Sequence, residues 1–265
     1  MIKRRFILCL LLDNGVFMNS RNFELNPVGN IETIEQYLNF EAIDELIIVN
    51  VERGEKDLDR FCAGVKEVAK RCFVPITAGG GVKSIEDFQK LLNSGADKVI
   101  INTAAYEDPK LITEASKVFG SQCVVVSIDV KKDKGGAYEV YIHNGSKDTH
   151  TDVFDWVKKV EKLGAGEIFL TSIDQDGSCQ GYDLDLVKKV SHTAGIPIIA
   201  SGGVGEFKHL VEGIRDGDAS AVSAANIFHF IGHSLIKAKT YLNTSGLNFP
   251  HTLWHFNKEF KDDVG

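Results

Sequence analysis

The sequence predicts an α/β fold: a single (β/α)8 TIM barrel over residues 1–265, made of two half-barrel repeats. Three observations predict it. Short β-branched apolar runs alternate with longer amphipathic ones from end to end, eight of each, which is the count of a closed barrel. The pattern repeats at a constant offset of 122 positions, as from Gly80 to Gly202, far beyond any solenoid period and close to half the chain. The length of 265 residues suits one such barrel, for which about 250 residues is typical.

The expected strands are Phe6–Leu12, Leu46–Val51, Pro75–Ala78, Val99–Asn102, Val124–Asp129, Ile168–Ile173, Pro197–Ser201 and Ser220–Ser223. Their continuous Val, Ile and Leu content marks strands buried on both faces. The expected helices lie near Glu32–Phe40, Leu58–Arg71, Ile85–Asn93, Pro109–Phe119, Asp152–Leu163, Leu184–Thr193, Glu206–Arg215 and Ser234–Leu242. Ser84-Ile-Glu-Asp87 and Asp108-Pro109 are helix-start signals, and Gly95 and Gly164 stand where helices stop. Between Lys131 and His150, the alternating Ala137–Ile142 followed by Asn144-Gly145 predicts a small hairpin over the barrel mouth. The half-barrels fall at roughly 1–121 and 122–245, and an extension over 246–265 is expected to pack outside.

In the repeat, Val74-Pro-Ile-Thr-Ala-Gly-Gly-Gly-Val82 resembles Ile196-Pro-Ile-Ile-Ala-Ser-Gly-Gly-Val204, and Glu45-Leu-Ile-Ile-Val aligns with Glu167-Ile-Phe-Leu-Thr. The basic Lys3-Arg4-Arg5 before Phe6–Leu12 imitates a leader peptide, but the apolar run is short and lacks a small-residue cleavage site, so it reads as the first strand. No apolar stretch is long enough to span a bilayer, so no membrane partner is expected. A net charge of −7 argues against nucleic acid as a partner. Five cysteines without Cys-x-x-Cys spacing give neither a metal finger nor a disulfide framework, and fit reduced thiols in a cytoplasm. No metal or cofactor is called for.

Catalytic groups in such barrels sit at the C-terminal ends of strands. Asp129, closing Cys123-Val-Val-Val-Ser-Ile-Asp129, is therefore the first catalytic candidate, with turn capping as its structural alternative. Asp176 follows the sixth strand, where it positions substrate or water or caps the Gln175-Asp-Gly177 turn. Gly80-Gly81 and Gly202-Gly203 each follow a strand and lead into a helix, where backbone N–H groups approach an anion. With Asn102-Thr103 and Ala224-Ala225 they form two candidate phosphate cradles, so a phosphorylated small molecule is the expected ligand.

The motifs Ala78-Gly-Gly-Gly-Val82, Gly95-Ala-Asp-Lys-Val99, Ile101-Asn-Thr-Ala-Ala105, Thr171-Ser-Ile-Asp-Gln-Asp-Gly177, Ala200-Ser-Gly-Gly203 and Phe228-His-Phe230 carry a resemblance along nearly the whole chain. The chain resembles the HisF family, the cyclase subunit of imidazole glycerol phosphate synthase. The resemblance implies a barrel that binds an elongated bisphosphate ribonucleotide and receives ammonia from a separate, HisH-like glutaminase subunit. It places Arg5, Glu45, Lys98 and Glu167 in a charged ring at the barrel bottom, the family's ammonia gate; by position alone a salt-bridge plug fits equally. It also implies two opposed catalytic aspartates. Asp129 matches one, but the other is replaced by Leu11, the loop lysine by Asn19 and the acid ending the second strand by Asn50.

Leu11 transfers no proton at any pH. Asp13 shares its side-chain parity and is the candidate substitute, although two residues along a strand is about 6–7 Å. The leading expectation is a barrel that relays ammonia to an acceptor, resembling accessory relatives that supply amidation of a surface sugar through a third protein. A working cyclase in histidine biosynthesis, with Asp13 or Asp176 taking over, is the alternative. A non-catalytic activator of the glutaminase is the third.

Overall fold

The computed structural model describes residues 3–30, 42–225 and 235–250. Eight parallel strands close into a barrel: β1 (Arg5–Asp13), β4 (Glu45–Asn50), β5 (Ile76–Gly79), β6 (Lys98–Ile101), β7 (Val124–Lys132), β10 (Glu167–Ser172), β11 (Ile198–Ser201) and β12 (Ala221–Ala224). Their order is β10-β11-β12-β1-β4-β5-β6-β7, and pairing of β7 with β10 closes the ring. β1 and β7 therefore stand diametrically opposite each other. This is the (β/α)8 fold the alternating pattern predicts.

Helices α1 (Leu58–Ala69), α2 (Ile85–Asn93), α4 (Lys110–Phe119), α5 (Val153–Leu163), α6 (Leu184–Thr193), α7 (Phe207–Arg215) and α8 (Leu235–Thr244) follow the strands, with a short α3 (Thr103–Glu107) between β6 and α4. The start signals act as expected at α2, where Ser84 and Asp87 form a reciprocal capping box. Gly164 ends α5 in the left-handed conformation. Pro109 sits just before α4 rather than inside it. The helix expected at Glu32–Phe40 lies outside the described residues, as do the Phe228-His-Phe230 motif and the chain beyond 250.

Two hairpins extend the barrel. β2 (Val16–Arg21) and β3 (Glu24–Asn30) continue antiparallel from β1, and β8 (Tyr138–Ile142) and β9 (Lys147–Asp152) continue from β7. The second fulfils the expectation for residues 137–145. The first is unforeseen. Its turn is Asn14-Gly15, both residues at positive φ (49° and 81°), which matches the twist of a two-residue hairpin. Because they spring from opposite strands, the hairpins converge over the mouth, where a Cβ on Gly145 would lie 2.7 Å from the Phe23 ring.

The core divides into two. Outward-facing strand residues such as Leu8, Leu46, Val126 and Leu170 pack on the helices. Inward-facing Ile7, Ile47, Ile100, Val125, Phe169 and Ile199 fill the barrel interior and are almost wholly buried. Outside, Lys239 on α8 is 1% exposed and donates to both carboxylate oxygens of Asp44 at 2.7 and 2.6 Å. Asp44 also accepts the Phe6 N–H at 2.8 Å, so one ion pair ties the last described helix to the first strand. Lys239→Met leaves a buried carboxylate without its partner and is expected to cost about 3–5 kcal/mol, read by urea unfolding. The chain then runs back along the barrel bottom, where the Arg4 N–H donates to the Asn248 carbonyl at 2.9 Å.

Candidate active site

The C-terminal ends of the strands enclose a cavity of about 730 Å³. Asp129, Asp176, Gly80, Gly81, Asn102, Thr103, Gly202, Gly203, Ala224 and Ala225 all line it, and so does Leu11. Asp13 does not: it ends β1 with its carboxylate accepting from the Asn14 side chain at 2.9 Å.

Asp129 is buried, 7% exposed. It accepts from the Asn102 amide at 2.7 Å and the Ser127 hydroxyl at 3.2 Å. Burial pushes its carboxyl up to about 7; the two hydrogen bonds counter that in part, and the charge of Asp176 adds to it. A carboxyl poised near neutrality suits proton transfer in either direction. Asn102, read from sequence as a phosphate ligand, thus spends its side-chain donor on Asp129.

Asp176 is occupied differently. Its carboxylate accepts from the Ser20 hydroxyl at 2.5 Å and the Phe23 N–H at 3.0 Å, while its carbonyl accepts the Asn22 N–H at 3.0 Å. Burial nevertheless holds its pKa above the ordinary value. Asn22 and Phe23 both have positive φ (50° and 64°), an uncommon backbone for a bulky residue and one that needs support from its surroundings. Asp176 supplies that support and latches the β2–β3 hairpin across the mouth. Asp176→Ala is expected to speed proteolytic cutting near Arg21 about tenfold or more at unchanged melting temperature, since only the hairpin is released.

The two cradles share one backbone design. Gly80, Gly81, Gly202 and Gly203 have φ of 96°, 94°, 93° and 104°. A Cβ on Gly80 would lie 2.3 Å from the Asn50 carbonyl oxygen, and one on Gly202 2.8 Å from that of Ser172. Close packing on the preceding strand end therefore requires glycine at both sites, independently of any anion. Thr103 accepts the His143 N–H at 3.0 Å, which fixes the tip of the β8–β9 hairpin to one cradle.

At the opposite end of the barrel, Arg5 bonds Glu45 at 2.8 Å and also Glu167, and Lys98 bonds both acids at 3.1 Å. The four residues form a closed ring of alternating charge. Burial works against the charge on Arg5, but the hydrogen bonds and charges of Glu167 and Glu45 more than offset it, so its pKa lies above the ordinary value. Directly above the ring lies the apolar layer of Ile7, Ile47, Val125 and Phe169.

Sequence reasoning missed Ser20 and Phe23, which hold Asp176, and Arg53, Lys56 and Lys83, which line the cavity. The Asn14-Gly15 dipeptide was the available signal for the first pair. The cations lie in loops, and no periodicity marks them.

The fold and the mouth together define a (β/α)8 barrel with a site built at the C-terminal ends of its strands. A family profile described as "Histidine biosynthesis protein" matches residues 6–233. The chain is 44% identical over 251 residues to "Imidazole glycerol phosphate synthase subunit HisF" of Clostridium botulinum (strain 657 / Type Ba4), an alignment covering 94% of this chain and 99% of that protein. The chain belongs to the histidine biosynthesis protein family and, within it, to the HisF group.

Proposed function

We propose that this chain is the barrel subunit of a glutamine amidotransferase of the imidazole glycerol phosphate synthase type. In this reading it receives ammonia from a HisH-like glutaminase subunit through the Arg5–Glu45–Lys98–Glu167 ring. It delivers the ammonia to a phosphorylated acceptor in the mouth, in the service of amidation of a surface sugar by a third protein, and not to ring closure. One observation carries the departure from the cyclase: β1 faces β7 across the barrel, and the position opposite Asp129 is Leu11. Ring closure of the family's type needs an acid and a base, and the removal of one typically costs about 10²–10⁴ in rate.

A working cyclase is the second reading, favoured by 44% identity across nearly the whole of a protein named as that subunit. It requires Asp176 as the second proton carrier, and Asp176 is engaged by Ser20 and Phe23.

The partner is supported by the surface around the ring. Phe73, 88% exposed, lies on the loop entering β5, and Val118, 61% exposed, near the end of α4, so both lie at the ring's end of the barrel. Exposed apolar side chains beside a charged entrance suit a docking face. Titration of the chain into the glutaminase encoded in the same genome is expected to give a one-to-one complex, weakened about tenfold or more by Phe73→Asp. No association at about 100 μM removes the amidotransferase reading.

A further inference from the structure

Among the described residues, every lysine and arginine that lines the mouth lies at one side of it. Arg53 and Lys56 belong to the loop after β4 and Lys83 to the loop after β5, beside Gly80 and Gly81. The loops after β10, β11 and β12, which carry Gly202, Gly203, Ala224 and Ala225, contribute none. Residues 226–234, which continue from β12, contain two histidines but no lysine or arginine.

Lys56 is the innermost of the three. Its stem lies along the glycine turn, so that a Cβ on Gly81 would come within 2.9 Å of the Lys56 Cδ. Its ammonium donates to the Asn50 carbonyl at 2.6 Å. Among the described residues it forms no ion pair within 4.0 Å. The neighbouring acids are committed elsewhere: Glu52 accepts the Asn14 and Asp57 N–H groups, and Asp87 accepts those of Lys83 and Ser84. Arg53 reaches the Phe23 carbonyl and so joins this side of the mouth to the hairpin latch. A half-buried ammonium without a counter-ion is costly, and a dianion placed beside it recovers that cost.

We infer that Lys56, with Arg53 and Lys83, is a specificity determinant that orients the ligand by charge: a phosphate monoester dianion or diphosphate binds at Gly80–Gly81, and the less charged end of the acceptor binds at Gly202–Gly203. The inference rests on the reading of the mouth as a phosphorylated-ligand site and adds its polarity. The acceptor class that fits is a molecule with one strongly anionic terminus, rather than two equivalent ones. Among the described residues the second cradle has glycine backbone and the hydroxyls of Ser201 and Ser223 but no cationic side chain, and neutral donors of this kind hold a neutral or singly charged group as well as a phosphate.

Burial lowers Lys56 to about 8; the charges of Glu52 and Asp13 counter this in part, and those of Arg53 and Lys83 add to it. Binding of a dianion is therefore expected to weaken as pH rises past about 8, because the empty site then releases its proton.

The test uses ribose 5-phosphate as the probe, with affinity from calorimetry and the contact site from backbone amide NMR shifts of the full chain. At pH 7 the Gly80 and Gly81 resonances are expected to move at lower probe concentration than those of Gly202 and Gly203. Lys56→Met is expected to weaken binding about tenfold or more, whereas Lys56→Arg stays within about threefold and loses the decline between pH 7 and 9. Equal melting temperatures for the two variants show that folding is not the cause. First movement at Gly202 and Gly203, or unchanged affinity in Lys56→Met, overturns the charge-reading role and leaves the phosphate reading standing. No movement at either cradle with about 10 mM probe overturns both.

Discussion

Leu11→Asp is expected to raise ring-closing turnover with ammonium salts and the family's bisphosphate ribonucleotide by about 10²-fold or more. Leu11 pairs with Val49 on one side and Met18 on the other, lines the cavity and is only half buried. A carboxylate introduced there stays partly solvated and faces β7, which carries Asp129, across the barrel. The gain is bounded by Asn19 and Asn50, where the family resemblance implies a lysine and an acid, and which are left unchanged. Leu11→Asn has nearly the same shape but transfers no proton. Turnover in Leu11→Asn equal to that in Leu11→Asp means that the gain came from space or polarity, and the missing acid is then not what limits this mouth.

Asp129→Asn is expected to stabilise the protein at neutral and alkaline pH while removing proton transfer. The sign follows from burial. The folded carboxyl titrates at about 7, against about 3.9 in the unfolded chain. Between those values the folded state holds the extra proton, so wild-type stability declines as pH rises from about 4 to about 7, and the loss is complete above that window. Asparagine keeps an acceptor for the Asn102 amide and carries no charge to desolvate. The expected gain is on the order of 2–4 kcal/mol at pH 8 and near zero at pH 4, from paired urea unfolding curves. Equal stability at both pH values contradicts a carboxyl held at a cost.

The barrel was legible because its strands are buried on both faces: runs such as Val124–Ile128 and Leu46–Val49 are short, continuous and rich in β-branched residues. Both glycine turns were legible as well, because the offset of 122 positions from Gly80 to Gly202 marks them together. The β2–β3 hairpin was not. Its second strand, β3, is largely exposed, with Pro27 and Gly29 inside it, so no apolar alternation announces a strand. The loss of that hairpin from the reading hid the role of Asp176, whose partners Ser20 and Phe23 lie more than 150 residues away in sequence. Lys56 was invisible for a related reason. A loop lysine reads as solvated until the fold lays it on Gly81.

A single-turnover experiment counts most directly how many proton carriers face each other in the mouth. The wild-type chain, in excess over the bisphosphate ribonucleotide and with saturating ammonium at pH 8, is expected to form ring-closed product at least about 10²-fold more slowly than Leu11→Asp. Wild-type product formation at the rate of the variant means that a second acid–base group acts beside Asp129 in the native mouth, and contradicts the account.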